Sequence, residues 1–147
     1  MALMSSALYN KDILRLATAI PHLGRLDHAD ASVERRSPVC GSRVTVDVAV
    51  DGEGRIVALG QDVRACALGQ ASAAIMGGHA IGRDAAELAA ARDALAAFLA
   101  GERDDPGAWP GLDIFAPARP HKARHASIRL AFEAVAEAVA RATETVA

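Results

Sequence analysis

Two cysteines carry most of the chemical interest of this 147-residue chain. Cys66 stands where an apolar, strand-like run ends and a helix rich in small residues begins. A thiol at a helix N-terminus lies close to unpaired backbone N–H groups and to the positive end of the helix dipole. This position favours the thiolate, which is the form that binds metals and attacks sulfur. The alternative interpretation is a buried and inert cysteine, because a free cysteine behaves as a small hydrophobic residue.

The other cysteine, Cys40, lies in a turn in which Gly41 can adopt a positive φ and let the thiol project from the loop. The chain from 44 to 63 is predicted to form two antiparallel strands around a hairpin turn of Asp, Glu and Gly residues at 51–54. Antiparallel strands that leave one end of a sheet return to it. Cys40 and Cys66 are therefore predicted to lie within reach of one metal ion.

A metal site needs further ligands, and the chain offers three candidates. They are His125 at the entrance to the last predicted helix, Ser42 two residues beyond Cys40, and the neighbouring His121. Thiolate together with imidazole suits zinc or iron–sulfur chemistry. Ser127 is close to His125 in sequence, but a nucleophilic triad also needs an orienting carboxylate and an oxyanion hole. No catalytic residue is therefore assigned, and no glycine-rich phosphate-binding pattern is present.

The elements that must position these residues fall into a β-rich first half and a helical second half. The prediction is an α+β fold with a small antiparallel sheet of about three strands, in a single domain over 1–147. The predicted elements are a helix capped by Ser5 or Ser6 and running to about Ala19, a polar edge strand over 31–36, the 44–63 hairpin, a helix from Cys66 to about His79, a helix from the Asp84–Glu87 capping box to Leu99, a long ordered loop over 102–126, and a last helix from Ser127 to about Thr145.

Composition narrows the function classes. A net charge of -2 with mixed signs favours neither a nucleic-acid partner nor a membrane-surface partner. Two cysteines cannot form a disulfide framework, and no signal peptide or apolar run of about 18 residues is visible. We therefore expect a cytoplasmic protein with reduced thiols.

At these residues the chain resembles the U-type iron–sulfur cluster scaffold family, the group of NifU N-terminal domains, IscU and SufU. Ser37-Pro38-Val39-Cys40-Gly41-Ser42-Arg43 is similar to that family's Asn-Pro-x-Cys-Gly-Asp-Arg loop. Cys66 with Ala71-Ser72, Ile75-Met76 and Ala80-Ile81-Gly82-Arg83-Asp84 resembles its second cysteine helix and the turn after it. Lys122-Ala123-Arg124-His125-Ala126-Ser127 resembles the segment that carries its third cysteine. The resemblance implies helices packed on one face of the sheet.

Two departures bear on the ligand set that the resemblance implies. The family's Asp after Cys-Gly is Ser42 here, and its third cysteine falls on His125, or on Ala126 if the alignment moves by one. The implied ligands are then Cys40, Cys66 and His125, with Ser42 as a further candidate. The fourth position is left to water, a partner residue, Ser42, His121 or nothing.

The resemblance implies a scaffold and not an enzyme. Such a protein holds iron or an iron–sulfur cluster and passes it to acceptor proteins, with a cysteine desulfurase as the sulfur-donating partner and a homodimer as one possible assembly. One alternative is a SufU-like, zinc-dependent sulfur-transfer protein that works with the desulfurase. The other is a degenerate paralogue with a vestigial metal site.

Overall fold

The computed structural model describes residues 8–38 and 41–146. The side chains of residues 145 and 146 are not described. Cys40 and the predicted cap residues Ser5 and Ser6 lie outside the described residues. The elements are helix α1 (Lys11–Ala17), strands β1 (Ala31–Arg36), β2 (Arg43–Val50) and β3 (Ile56–Arg64), helices α2 (Ala67–His79) and α3 (Ala85–Leu99), the 3-10 helices η1 (Leu112–Ala118) and η2 (Lys122–Arg124), and helix α4 (His125–Val146). The predicted α+β class is confirmed.

The sheet is antiparallel, with the strand order β1-β2-β3, so that the predicted polar strand does lie at an edge. The inward residues of β2 are Val44, Val46 and Val48, and all three are fully buried. Helix α4 covers this face and contacts β1 and β2, while α2 and α3 pack against α4 in turn. An alternating strand with one apolar face requires such a cover. None of the described helices is long and apolar enough to cross a membrane.

Local sequence signals gave some element ends correctly and others not. The Asp84–Glu87 capping box is present, with the Asp84 carboxylate accepting the Glu87 N–H at 2.9 Å. The first helix differs from the prediction, because within the described residues α1 starts after Asn10, whose side chain accepts the Ile13 N–H at 3.0 Å. Asparagine is about as favourable an N-cap residue as serine. The residue type alone therefore does not decide where this helix starts.

The second half also differs in detail from the prediction. The last helix starts at His125, two residues before the predicted start, and the predicted 102–126 loop contains the 3-10 helices η1 and η2. Short 3-10 segments have no strong hydrophobic period, which explains why sequence patterning did not show them. His125 consequently belongs to the first turn of α4.

Asp47 anchors the segment 22–26 to the outer face of the sheet. Its carboxylate accepts two hydrogen bonds from Arg25, with Nε at 2.7 Å and Nη2 at 3.0 Å. It also accepts the Leu26 N–H at 2.9 Å and the Ser32 hydroxyl at 2.6 Å. Burial by itself raises the pKa of Asp47, but these donors outweigh burial and hold the pKa below its ordinary value.

Small residues in α2 let this helix pack directly against the first turn of α4. A Cβ added to Gly69 would lie 2.6 Å from the Ser127 Oγ and 2.7 Å from the Ala65 Cβ. One turn later, the Ser72 hydroxyl donates to the backbone carbonyl of Ile128 at 2.5 Å. The absence of a side chain at Gly69 is therefore a condition for the approach of the two helices.

Asp47→Asn is expected to lower the free energy of unfolding at pH 7 by about 1.5–3 kcal/mol, the range for hydrogen bonds to a charged group. A carboxyl group whose pKa is lowered by folding stabilises the fold above its unfolded pKa, and this contribution disappears as the pH falls through the folded pKa. Urea unfolding of both proteins should therefore show a difference that shrinks below about pH 4. The half-exposed Asp62 lies on the same face, and Asp62→Asn is the control with little effect. A deficit of equal size at pH 3 and pH 7 would contradict the electrostatic assignment.

Gly69→Ala is expected to destabilise the protein by about 1–3 kcal/mol, the usual cost of overpacking. The matched control is Gly78→Ala in the same helix, where an added Cβ meets no atom within 4 Å. There alanine should be neutral or stabilising by up to about 1 kcal/mol, because it is the better helix former. Equal unfolding midpoints for the two variants in urea would show that the helices do not depend on this contact.

Candidate functional site

Cys66 is the N-cap residue of α2, as the sequence predicts. Its backbone is extended, with φ -66° and ψ 171°, and its carbonyl accepts the Gln70 N–H at 2.9 Å as the first bond of the helix. The thiol makes no capping hydrogen bond to the backbone and is only partly buried. The sulfur therefore lies at the positive end of α2 and is free to interact with other groups.

Two buried hydroxyl groups connect Cys66 to the loop that follows Cys40. The Ser127 Oγ lies 3.2 Å from the Cys66 Sγ and 3.3 Å from the Ser42 Oγ. Ser127 is 2% exposed and Ser42 is 4% exposed, so water has little access to either hydroxyl. A single hydroxyl group thus separates the side chain of Ser42 from the sulfur of Cys66, and we call this arrangement the Ser42–Ser127–Cys66 bridge.

The single proton of the Ser127 hydroxyl allows that group to donate to one neighbour only. A metal-bound thiolate has no proton, so Ser127 must then donate to the Cys66 sulfur and Ser42 must donate to Ser127. With a protonated thiol the opposite direction is open, from sulfur to Ser127 to Ser42. The bridge can therefore serve both forms of the thiol by turning two hydroxyl groups.

His125, the predicted third ligand, lies two residues before Ser127 in the first turn of α4. Its Nε2 is 2.9 Å from the backbone oxygen of Ala118. Since a carbonyl only accepts hydrogen bonds, this contact assigns the proton of the neutral ring to Nε2 and leaves the lone pair on Nδ1. A hydrogen bond from the other ring nitrogen to a carbonyl is the usual support for a metal-binding histidine. The neighbouring His121 is held by its backbone N–H, which donates to the same Ala118 oxygen at 2.9 Å.

The position of Cys40 lies outside the described residues, so its distance from Cys66 stays a prediction. The strand ends that lead to the two cysteines do lie side by side, because Arg43 and Arg64 are register partners in β2 and β3. Among the described residues, no group of three or more His, Cys, Asp or Glu side chains is placed to hold a metal ion. The predicted ligands that the structure describes therefore do not form a complete metal site among themselves.

The role of Ser127 was missed by sequence reasoning, which considered this residue only as a nucleophile. Ser42 was predicted as a candidate ligand, which stays a prediction, and its hydroxyl contacts Ser127 in the described structure. One signal was available in the sequence. Gly69 and Ser72 are three residues apart on α2, so they form a face of small side chains against which a second helix can pack closely. What sequence spacing does not contain is which residue of α4 meets that face.

Comparison with known proteins gives the family. Residues 8–143 match the family described as NifU-like N terminal domain. The crystal structure of a nitrogen-fixing NifU-like protein (N-terminal) from Brucella abortus is 39% identical, with coverage of 96% of this chain and 98% of that chain and a TM-score of 0.89. No match exists among curated proteins.

Two more distant structures show the same fold. One is a candidate iron–sulfur cluster assembly scaffold protein for the SUF system from Fervidobacterium islandicum AW-1, at 21% identity, 92% and 98% coverage and a TM-score of 0.84. The other is a hypothetical protein at 23% identity, with 92% and 98% coverage and a TM-score of 0.80. With the family match over most of its length and the close Brucella relative, this chain belongs to the NifU-like N-terminal domain family, as its cysteine motifs predict.

Proposed function

We propose that this protein is a scaffold of iron–sulfur cluster assembly, which holds iron or a cluster as cargo and passes it to acceptor proteins. Family membership supports the proposal, and the observation that carries it is the Ser42–Ser127–Cys66 bridge. The bridge brings the residue two positions after Cys40 to within one hydroxyl of the Cys66 sulfur. That placement supports a shared site for both cysteines.

The proposed ligands are the sulfurs of Cys40 and Cys66 and the Nδ1 of His125. Thiolates are the usual ligands of iron–sulfur clusters, and an imidazole can replace a thiolate in such sites. Ser42 is the weakest candidate, because its neutral hydroxyl is a poor substitute for the family's Asp. In our proposal Ser42 supports the site through Ser127, and does not need to bind the metal itself.

Three protein ligands leave one position of a four-coordinate iron for an exchangeable group. Cys66 is only partly buried, so that position can be approached from solvent or by a partner. A cargo held by three ligands can leave more readily than one enclosed by four. This matches a scaffold, which binds in order to release, and requires no turnover chemistry by the protein itself.

The exposure of Cys66 also favours a second candidate function, zinc-dependent sulfur transfer with a cysteine desulfurase. The Cys66 thiolate would attack the outer sulfur of the desulfurase persulfide, so that one S–S bond forms and the other breaks, with the desulfurase thiolate as leaving group. The same ligands would hold zinc in place of iron. The two candidates differ in the metal retained and in the effect on desulfurase turnover. Loss of both properties indicates a vestigial site.

Anaerobic reconstitution with iron and sulfide is the experiment that tests the proposal. Wild-type protein should gain bound iron and a visible sulfur-to-iron charge-transfer absorption. Cys66→Ala should lose most of both, while its thermal unfolding midpoint changes little, because a small and partly exposed side chain leaves little cavity. Retained iron per folded molecule in Cys66→Ala would contradict a ligand role. Bound zinc with faster desulfurase turnover would favour the second candidate function.

Iron content after reconstitution also tests whether the imidazole of His125 is a ligand. His125→Gln keeps an N–H donor for the Ala118 oxygen and removes Nδ1, so it should reduce iron retention without unfolding α4. His28→Ala, at an exposed loop position, is the matched control and should retain wild-type iron. Equal iron content in all three proteins would exclude His125 as a ligand.

Ser127→Ala is expected to weaken metal binding about tenfold or more, the lower end of the effect of outer hydrogen-bond partners of metal ligands. Competition with a zinc chelator measures this, and Ser127→Thr should restore much of the loss because it keeps the hydroxyl. Ser72→Ala is the matched control, since Ser72 is equally buried between α2 and α4 but bonds only to Ile128. Similar losses of affinity in Ser127→Ala and Ser72→Ala would show that helix packing, and not the hydrogen bond to sulfur, is responsible.

A further inference from the structure

The charges of this protein are segregated around the proposed ligands. Nine of its sixteen Lys and Arg residues, and none of its eighteen Asp and Glu residues, lie in the three runs 35–46, 63–83 and 114–132. Each run contains one of the three proposed ligands. The remaining seven basic residues share the rest of the chain with all eighteen acidic ones, so the three runs that contain the proposed ligands are basic in a chain of net charge -2.

Three of these nine cations, Arg36, Arg43 and Arg64, have a carboxylate of their own or the neighbouring strand within 4.0 Å, and four others are engaged by partners in helices and loops. The ion pairs and hydrogen bonds of these four are Arg35 with Glu133 and Glu137, Arg83 with Glu87, Arg129 with Glu133, and Arg119 with the carbonyl oxygens of Phe98 and Arg103. These four serve helix packing and loop attachment. The other five, Arg36, Arg43, Arg64, Lys122 and Arg124, form what we call the basic collar.

Three members of the basic collar form a row across the end of the sheet. Arg36 is the register partner of Arg43, and Arg43 is the register partner of Arg64. Like charges directly opposite each other destabilise a sheet. Among the residues that the structure describes, two carboxylates lie within 4 Å of the row, with Glu34 at 2.8 Å from Arg36 and 3.9 Å from Arg43, and Asp62 at 4.0 Å from Arg64. The row therefore has more positive than negative charge, and its like charges do not stabilise the pairing of the strands.

The remaining two members lie on the α4 side of the Cys66 sulfur. Lys122 and Arg124 belong to η2, which leads directly into His125, and both are exposed. Neither forms an ion pair with any residue that the structure describes. Arg64 precedes Cys66 by two residues, and Arg124 precedes Ser127, the sulfur's hydrogen-bond partner, by three. Cations therefore lie close in sequence to both members of the Cys66–Ser127 contact, on two separate elements.

We propose that the basic collar docks a carboxylate-rich surface of a partner protein over Cys66. The inference rests on the proposed function, in which sulfur or a cluster passes between Cys66 and a second protein. Exposed charges of this kind act mainly on the rate and orientation of encounter, because salt screens them and water solvates them. Apart from Glu34 and Asp62, which lie beside the row, the rest of the protein carries sixteen carboxylates against eleven cations, and this net negative charge directs an acidic partner toward the basic collar.

The geometry favours a protein surface over a single small anion. Neighbouring strands lie about 4.8 Å apart, so the row of three guanidinium groups alone spans about 10 Å. The side chains of Arg36 and Arg64 are 65% and 70% exposed, which leaves no enclosed pocket for one ion. Several carboxylates distributed over a partner can meet these cations together.

A pair of thiol reagents of opposite charge measures the field at Cys66 without any partner. The thiolate attacks a methanethiosulfonate, forms a mixed disulfide and releases methanesulfinate, and the reagent carries either a sulfonate or a trimethylammonium group. Mass mapping of the Cys66 peptide gives the two rate constants. The anionic reagent should be favoured in the wild type, and Arg64→Gln with Lys122→Gln should reduce its advantage roughly threefold or more at low salt.

The matched control is Arg55→Gln with Lys11→Gln. Arg55 is an exposed arginine at the opposite end of the same hairpin with a carboxylate 3.7 Å away, and Lys11 is exposed at the start of α1. The control pair removes the same net charge and should leave the ratio of the two rates near the wild-type value. Equal reductions in both double variants, or none in either, would overturn the basic collar as a local feature.

The docking proposal is tested by measuring the rate of association with a cysteine desulfurase. Stopped-flow mixing at several salt concentrations gives this rate. Arg36→Glu with Arg64→Glu should slow association about tenfold or more and flatten its salt dependence, whereas Arg55→Glu with Lys11→Glu should not. Unchanged association of the first variant would overturn the docking proposal. A wild type that takes up no iron counts against the proposed function alone, since the reagent experiment reports on the basic collar without metal or partner.

Discussion

The candidate site depends on the close contact of two helix N-termini, and only very small side chains permit that contact. Gly69 leaves the space in which the Ser127 hydroxyl reaches the Cys66 sulfur. The positive ends of the α2 and α4 dipoles meet there, and two such ends repel each other unless negative charge lies between them. In the proposed function, an anionic cargo bound at Cys66 supplies negative charge in this gap between the two helix ends.

The sheet sets which loop reaches this gap. Antiparallel pairing places Arg43 opposite Arg64, so the chain entering β2 and the chain leaving β3 end at the same edge. The register is interrupted only near the far turn, between Ala49 and Val50, which leaves the pairing regular at the site end. On the outer face, the bond network of Asp47 fixes the segment before β1 to the same strand. Strand pairing thus determines the position of Ser42 and Arg43, the described residues that follow Cys40 most closely after Gly41.

Much of the fold was predictable because its signals are local. The hairpin turn, the Asp84–Glu87 capping box and the start of α2 at Cys66 each depend on a few adjacent residues, and each is confirmed. The start of α1 at its Asn10 cap and the 3-10 helices were not predicted, since several residues there can cap or turn the chain equally well. Their correct choice depends on tertiary packing.

The candidate site also has one part that local sequence signals predict and one part that depends on tertiary packing. Residue type and order singled out Cys66 and His125, because thiol and imidazole chemistry is visible in the sequence itself. The bridge through Ser127 joins residues 61 and 85 positions apart, and no local pattern encodes such a distance. Cys40 lies outside the described residues, so its place in the site rests on the sequence and on the loop that follows it.

The two departures from the family motif and the basic collar act in the same electrostatic direction. Relative to the family pattern, Ser42 removes a carboxylate and His125 or Ala126 removes a thiolate, so the site loses negative charge twice. A cluster held with fewer anionic ligands is easier to reduce, since net charge is one determinant of its potential. In the proposed docking, a neutral Ser42 and the arginine row both favour the approach of a negatively charged partner, because neither adds negative charge at this end of the sheet.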